Sequence, residues 1–130
     1  MAAARAAVET IRDENAVAAA ATIGGRLIEG LRRSAAVRCG HLVREIRGEG
    51  LLIGVEMVDA GADGELFMEL FDQGVLVNHS LNNSAVARLT PPATLTPEQT
   101  DRLLTGFDAA FDALGGRFPQ HDKSGKDGNA

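Results

Sequence analysis

"VREIRGEGLLIGVEM", Val43 to Met57, is the stretch whose reading decides how this chain folds. Two apolar runs flank Gly48-Glu49-Gly50. A glycine loop that opens a helix turns free N–H groups toward an anion and can cradle a phosphate. A glycine loop that opens a second strand is a hairpin turn. Leu51, Ile53, Val55 and Met57 fall on one face, with Gly54 and Glu56 on the other, which is the period of a strand. Leu42 to Arg47 reads as the strand before it. The loop therefore runs from strand to strand and carries a carboxylate, Glu49. That context favours a three-residue hairpin connection over a phosphate cradle.

Upstream, Ala2 to about Arg12 reads as a short helix bearing Val8 and Ile11. Asn15, or the residue before it, can cap a second helix that reaches about Arg33. Val17, Ala20, Ile23, Leu27 and Leu31 recur at helical steps on one face of it. Gly24 and Gly25 interrupt this helix, each at a cost of about 1 kcal/mol against alanine. Their use could be the close approach of another segment.

Downstream, Glu65 to Gln73 forms a third helix, with Leu66, Phe67, Leu70 and Phe71 as its stripe. Gly74 follows where a left-handed cap belongs. Val75 to Asn78 and Ala85 to Leu89 read as two more strands. Thr96-Pro97-Glu98-Gln99 is a capping box with proline at the first helical position. Leu103, Phe107, Phe111 and Leu114 are the buried face of the helix it opens, and Gly115-Gly116 ends that helix. The order is two helices, a hairpin, a helix, two strands and a helix. It predicts an α+β fold, a small and mostly antiparallel sheet with helices packed on one face. Residues 1–115 form the domain, and 116–130 are a polar tail expected to be disordered.

Composition narrows the function. The 130 residues are 45% hydrophobic and 24% charged, which suits one soluble domain. A net charge of -5, with no Trp or Tyr, argues against nucleic acid and against an anionic membrane surface. One cysteine, Cys39, allows no internal disulfide. The N-terminus is Ala-rich but broken by acidic residues, which fits neither a signal peptide nor a transit peptide. The expected location is the cytoplasm. The only lysines are Lys123 and Lys126, both in the polar tail. Chemistry that needs a desolvated lysine amine has no candidate in the folded part.

Few side chains stand out. Arg88 sits in "AVARL" just before Thr90-Pro91-Pro92, on a strand end that the two prolines stiffen. An arginine fork held there suits a carboxylate; an ion-paired or solvent-facing arginine is the plainer alternative. His41, His79 and His121 show no metal-ligand spacing. Ser80 and Ser84 lack a nucleophile elbow. Cys39 reads as an inert thiol, and Asp59, Asp63, Glu65 and Glu69 cluster around a helix start, where the helix dipole explains acids.

The Val43–Met57 stretch resembles the signature hairpin in the C-terminal domain of class III aminotransferases. "AAVETIRDENAVAAAATIGGRLIEGLRR" is similar to the helical lead-in of that domain. "ELFDQGVLVNHSLNNSAVARLTPPATLTPEQTDRLL" is similar to its last strands and helix. The "LNN…R-x-x-PP" segment looks most like the putrescine (polyamine) branch. The resemblance spans about residues 2 to 114. It implies pyridoxal 5'-phosphate (PLP) as cofactor of the complete enzyme and amino transfer from an amine to a 2-oxo acid such as 2-oxoglutarate. It also implies a homodimer and a preceding PLP-binding large domain. By the resemblance Arg88 matches the arginine that binds the substrate carboxylate, whereas Arg47 fixes structure and takes no catalytic role. The Schiff-base lysine, the acid that pairs the pyridine nitrogen and the phosphate loop have no match here, so the chain alone is expected to bind no PLP and to be inactive. Three readings follow: a fragment of such an enzyme, favoured because the chain begins inside the family's helical lead-in; one half of a split enzyme whose large domain acts in trans; or a binding and assembly module without catalysis.

Overall fold

A computed structural model describes residues 2–120. The elements are helix α1 (Ala2–Asp13), helix α2 (Ala16–Arg38), strands β1 (Val43–Glu49) and β2 (Leu52–Met57), helix α3 (Ala60–Asp72), strands β3 (Asn78–His79) and β4 (Val86–Leu89), and helix α4 (Pro97–Arg117). The four strands form one antiparallel sheet in the order β1-β2-β4-β3. The α+β architecture is as the sequence predicts.

The hairpin is real and tighter than expected. Glu49 pairs with Leu52, so the turn is the two residues Gly50-Leu51. Gly50 takes φ +57, the left-handed region open to glycine. The tip rests on α2. A Cβ built on Gly24 would lie 1.8 Å from the Gly50 carbonyl oxygen, whereas one built on Gly25 meets nothing within 4 Å. Of the two mid-helix glycines, Gly24 is the one that lets a segment approach.

One face of the sheet is the core. Ile53, Val55 and Met57 of β2, with Ala87 and Leu89 of β4, pack against Leu27 and Leu31 of α2, Leu66 and Leu70 of α3, and Phe107, Phe111 and Leu114 of α4. The predicted faces of β2 and α4 hold. On α3, Leu66 and Leu70 are buried but Phe71 is exposed. On α2 the buried stripe is Gly24, Leu27, Leu31 and Ala35, and Val17 stays in solvent. Helix α1 buries no residue.

Several boundaries move for tertiary reasons. Helix α2 runs past Arg33 to Arg38, because Ala35 enters the core and Arg38 reaches Asp108 at 3.1 Å and Asp112 at 3.2 Å on α4. Asn15 caps α2 by position only, with φ 54 and no side-chain hydrogen bond. Helix α3 starts at Ala60, five residues before Glu65, because Asp59 accepts a hydrogen bond from the Ala62 N–H at 2.8 Å. Helix α4 passes through Gly115-Gly116 to Arg117. A Cβ on Gly115 would lie 1.9 Å from the Arg38 carbonyl oxygen, so this glycine permits a helix contact and does not stop the helix. The expected strand Val75–Asn78 shrinks to Asn78–His79. Carried on along the Asn78–Arg88 pairing, Val75 would face Pro91, which has no N–H to give. Gly74 takes the predicted left-handed cap, φ +76. The capping box at Thr96 is complete, with Thr96 and Gln99 bonded in both directions at 2.9 and 3.1 Å. Residues 121–130 of the expected tail, with His121 and both lysines, lie outside the described residues. No helix among the described residues is long and apolar enough to cross a membrane.

Candidate functional site

The face of the sheet away from the helices is polar, and the pairing register orders it. Arg47, Gly54, Arg88 and Asn78 lie side by side across all four strands. Glu45, Glu56 and Val86 form the next row. Side chains of paired residues share a face, so Arg88 projects from the same side as Arg47 and Glu56, opposite the core.

The two arginines of the row differ in what they hold. Arg47 bonds Glu56 at 2.6 Å and Glu45 at 3.1 Å, and these contacts, the Glu56 hydrogen bond foremost, hold its guanidinium more firmly protonated than usual. Arg44 also reaches Glu56, at 3.6 Å. Arg47 is thus tied into a cross-strand ion-pair cluster, a structural duty. Arg88 is half-buried, and its side chain makes no hydrogen bond or ion pair with another described residue. A half-desolvated guanidinium with no internal anion is a site for an external one.

A cleft of about 440 Å³ runs beside it. Its walls are the segment Gln73–Asn78, the strand end Arg88–Pro92, and the first turns of α4 through Gln99, Arg102 and Leu103. The volume is that of a small-molecule site. Gly74 swings one wall into place, the proline pair fixes the other, and the capping box fixes the third. No Asp or Glu lines the cleft. In a chain of net charge -5, that makes it a locally positive hollow.

The structure also brings together a pair that sequence spacing did not connect. Asp63, with no exposed surface, accepts a hydrogen bond from His79 Nδ1 at 2.6 Å. His79 stacks on Phe67, the ring centroids 4.8 Å apart. The Asp63 Oδ1 atom has no partner. The sequence holds Asp63 near a helix start and His79 after a strand, 16 residues apart, with nothing local to link them. His79 pairs with Ala87, which puts it on the helix side, away from Arg88. The pair clamps β3 onto α3.

Burial pushes the Asp63 carboxyl above its ordinary range, against the smaller pull of His79. A carboxyl whose pKa is raised by folding stabilises the fold while protonated. That contribution is complete below the unfolded value, near 3.8, and is lost as pH rises through the folded one. Asp63→Asn keeps the shape and can still bond the imidazole. It is expected to become progressively more stable relative to the natural chain as pH rises from 3.8 into the mildly acidic range. Urea midpoints of the two chains measured across that range check this; a constant difference would contradict it.

The remaining candidates stay apart. Cys39 is buried, and desolvation raises its thiol to about 11, so it is inert. His41 Nε2 meets the Phe118 carbonyl. No group of His, Cys, Asp and Glu among the described residues could hold a metal ion. The described residues do not fit PLP. They include no lysine to take its aldehyde, and Gly48-Glu49-Gly50 opens no helix whose N–H groups could hold its phosphate.

Comparisons with known proteins follow the same outline. The model of the family "Aminotransferase class-III" matches residues 1–111. Among solved structures, ornithine aminotransferase from Toxoplasma gondii, which carries PLP at partial occupancy in its active site, is 28% identical with a TM-score of 0.75, over 85% of this chain and 26% of that one. Ornithine aminotransferase from Plasmodium yoelii is 25% identical with a TM-score of 0.73, over 83% of this chain and 28% of that one. Lysine aminotransferase from M. tuberculosis, 24% identical with a TM-score of 0.76 over 85% of this chain and 25% of that one, shares the fold. The chain spans about a quarter of the length of these structures.

Proposed function

Because this chain belongs to the class III aminotransferases, we propose that residues 1–115 work as the small domain of a PLP-dependent transaminase and that Arg88 holds the carboxylate of its 2-oxo acid. One observation carries this reading: Arg88 is the half-buried arginine of the open sheet face that no described residue neutralises, and it borders an acid-free cleft. A planar guanidinium on a rigid strand end offers two parallel N–H groups to a carboxylate and fixes its orientation. The domain's contribution is binding and orientation, which place the oxo acid for a reaction carried elsewhere. In the complete enzyme PLP supplies the electron sink for amino transfer. The acceptor fits a 2-oxo acid such as 2-oxoglutarate, and a lysine-bearing large domain is the required partner, in the same polypeptide or as a separate chain. The complete protein is a homodimer in this reading, and the amine donor belongs to the polyamine class.

The test is turnover. The pure 130-residue chain with added PLP, a diamine and 2-oxoglutarate is expected to show none. The same domain assembled with a lysine-bearing large domain is expected to transaminate. Robust turnover by the chain alone, or none by the assembled protein, would overturn the proposal.

A further inference from the structure

In the cross-strand row Arg88 stands between Gly54, which has no side chain, and Asn78. Directly paired residues of adjacent strands bring their Cβ atoms to about 5 Å on one face. Asn78 and Arg88 also line the same cleft. Asn78 is exposed, and its side chain is bonded to no other described residue. Its amide group carries two N–H donors. A carboxylate held by the Arg88 fork keeps lone pairs to spare, and an amide donor on the same face suits one of them.

Strand β3 is by itself a weak platform for such a contact. It has two residues, lies at the edge of the sheet and pairs only with β4. Before Asn78, Val77 is buried in the core. After it, the Ser80 N–H bonds the Val86 carbonyl at 2.9 Å, and residues 81–84 are exposed. The side chain that fixes this end of the strand is His79. Alternation puts it on the helix side, where it bonds the fully buried Asp63 at 2.6 Å and stacks on Phe67. Both contacts come from α3, so they tie the edge strand to an element outside the sheet. A buried carboxyl with an unpartnered oxygen is costly. Adhesion between β3 and α3 alone would be served better by an apolar side chain. The acid adds direction: hydrogen bond and stack together fix the imidazole ring, and with it the strand that bears the ring.

We propose that Asn78 is a second donor to the carboxylate held by Arg88, and that Asp63 and His79 are positioning residues that keep Asn78 in place for it. The inference rests on the reading of Arg88 given above. It adds one group that touches the ligand and a pair that acts through that group.

The experiment is an NMR titration of the full chain with 2-oxoglutarate at fixed ionic strength. Asn78→Ala is expected to weaken binding about three- to tenfold, the worth of one neutral donor on a charged acceptor at an exposed site. His79→Ala is expected to weaken it by a similar factor. His79→Asn is expected to restore most of the affinity, because its side-chain N–H group stands where Nδ1 of histidine stands and can donate to Asp63. The double variant Asn78→Ala/His79→Ala is expected to bind no more weakly than Asn78→Ala alone, since His79 acts through Asn78. Dispersed amide spectra confirm that each variant is folded. Full affinity in Asn78→Ala, a double variant weaker than Asn78→Ala, or no rescue by His79→Asn would overturn the inference. In each of these cases a loss of binding in Arg88→Gln would leave the Arg88 reading standing. Unchanged binding by Arg88→Gln, or no binding by the natural chain, would overturn both.

Discussion

Gly24→Ala is expected to destabilise the domain by about 2–3 kcal/mol, whereas Gly25→Ala is expected to stabilise it by up to about 1 kcal/mol. The two glycines are neighbours in one helix and share one intrinsic penalty. They differ only in what lies outside the helix. At Gly24 the added methyl would sit 1.8 Å from the Gly50 carbonyl oxygen and 2.5 Å from its carbon. Both are backbone atoms, so no rotamer can relieve the clash. The hairpin tip cannot fold away either. Gly50 is already left-handed, and at Gly48 a Cβ would meet the Leu52 carbonyl oxygen at 2.4 Å, so the ladder behind the tip is tight. The tip would have to lift from α2 as a unit, loosening Leu51 and Ile28 at the edge of the core. At Gly25 the methyl enters open space, and only the gain in helix propensity remains. Urea unfolding of the two variants, followed by circular dichroism, reads both effects. Shifts of the same sign would contradict this packing of hairpin on helix.

That pair of glycines also marks what the sequence can and cannot reveal. Features specified within a few residues were legible. The alternation Ile53-Val55-Met57 announces its strand, and Thr96-Pro97-Glu98-Gln99 announces its helix start, because each signal and its cause lie in the same turn or ladder. Features specified across the fold were not. Nothing near Gly24 and Gly25 says which one meets the hairpin. Gly115-Gly116 reads as a helix stop, yet Gly115 is there for the Arg38 carbonyl of α2. The last turn of α2 is held by Ser34 and Arg38 reaching Asp108 and Asp112, more than 60 residues away in sequence. The strand expected at Val75–Asn78 has the right residues but lacks a partner able to complete its ladder.

The site divides in the same way. Arg88 could be singled out from its place before the double proline. The cleft beside it could not, because its walls come from a strand end, a loop and a helix that only the fold brings together. The Asp63–His79 pair was hidden for the same reason. Arg47 and Arg88 look alike in sequence; Glu45 on its own strand and Glu56 on the next take Arg47 and leave Arg88 open.

The most direct test of the account is the kinetic split caused by Arg88→Ala in a complete enzyme that contains this domain. If Arg88 holds the oxo-acid carboxylate, its loss removes one side of a hydrogen-bonded charge pair. Such truncations cost about 2–5 kcal/mol, so the KM for 2-oxoglutarate should rise about 30-fold or more. An amine donor without a carboxylate makes no use of the fork, and its KM should stay within about threefold. Arg88 makes no side-chain hydrogen bond or ion pair within the described residues, so the variant should fold and retain its cofactor spectrum. Arg88→Lys keeps the charge but loses the planar fork, and should fall between the two. A large rise in the KM for 2-oxoglutarate with an unchanged KM for the amine is the predicted result. Equal rises for both substrates, or no change in either, would contradict the assignment of Arg88 as the carboxylate-binding residue.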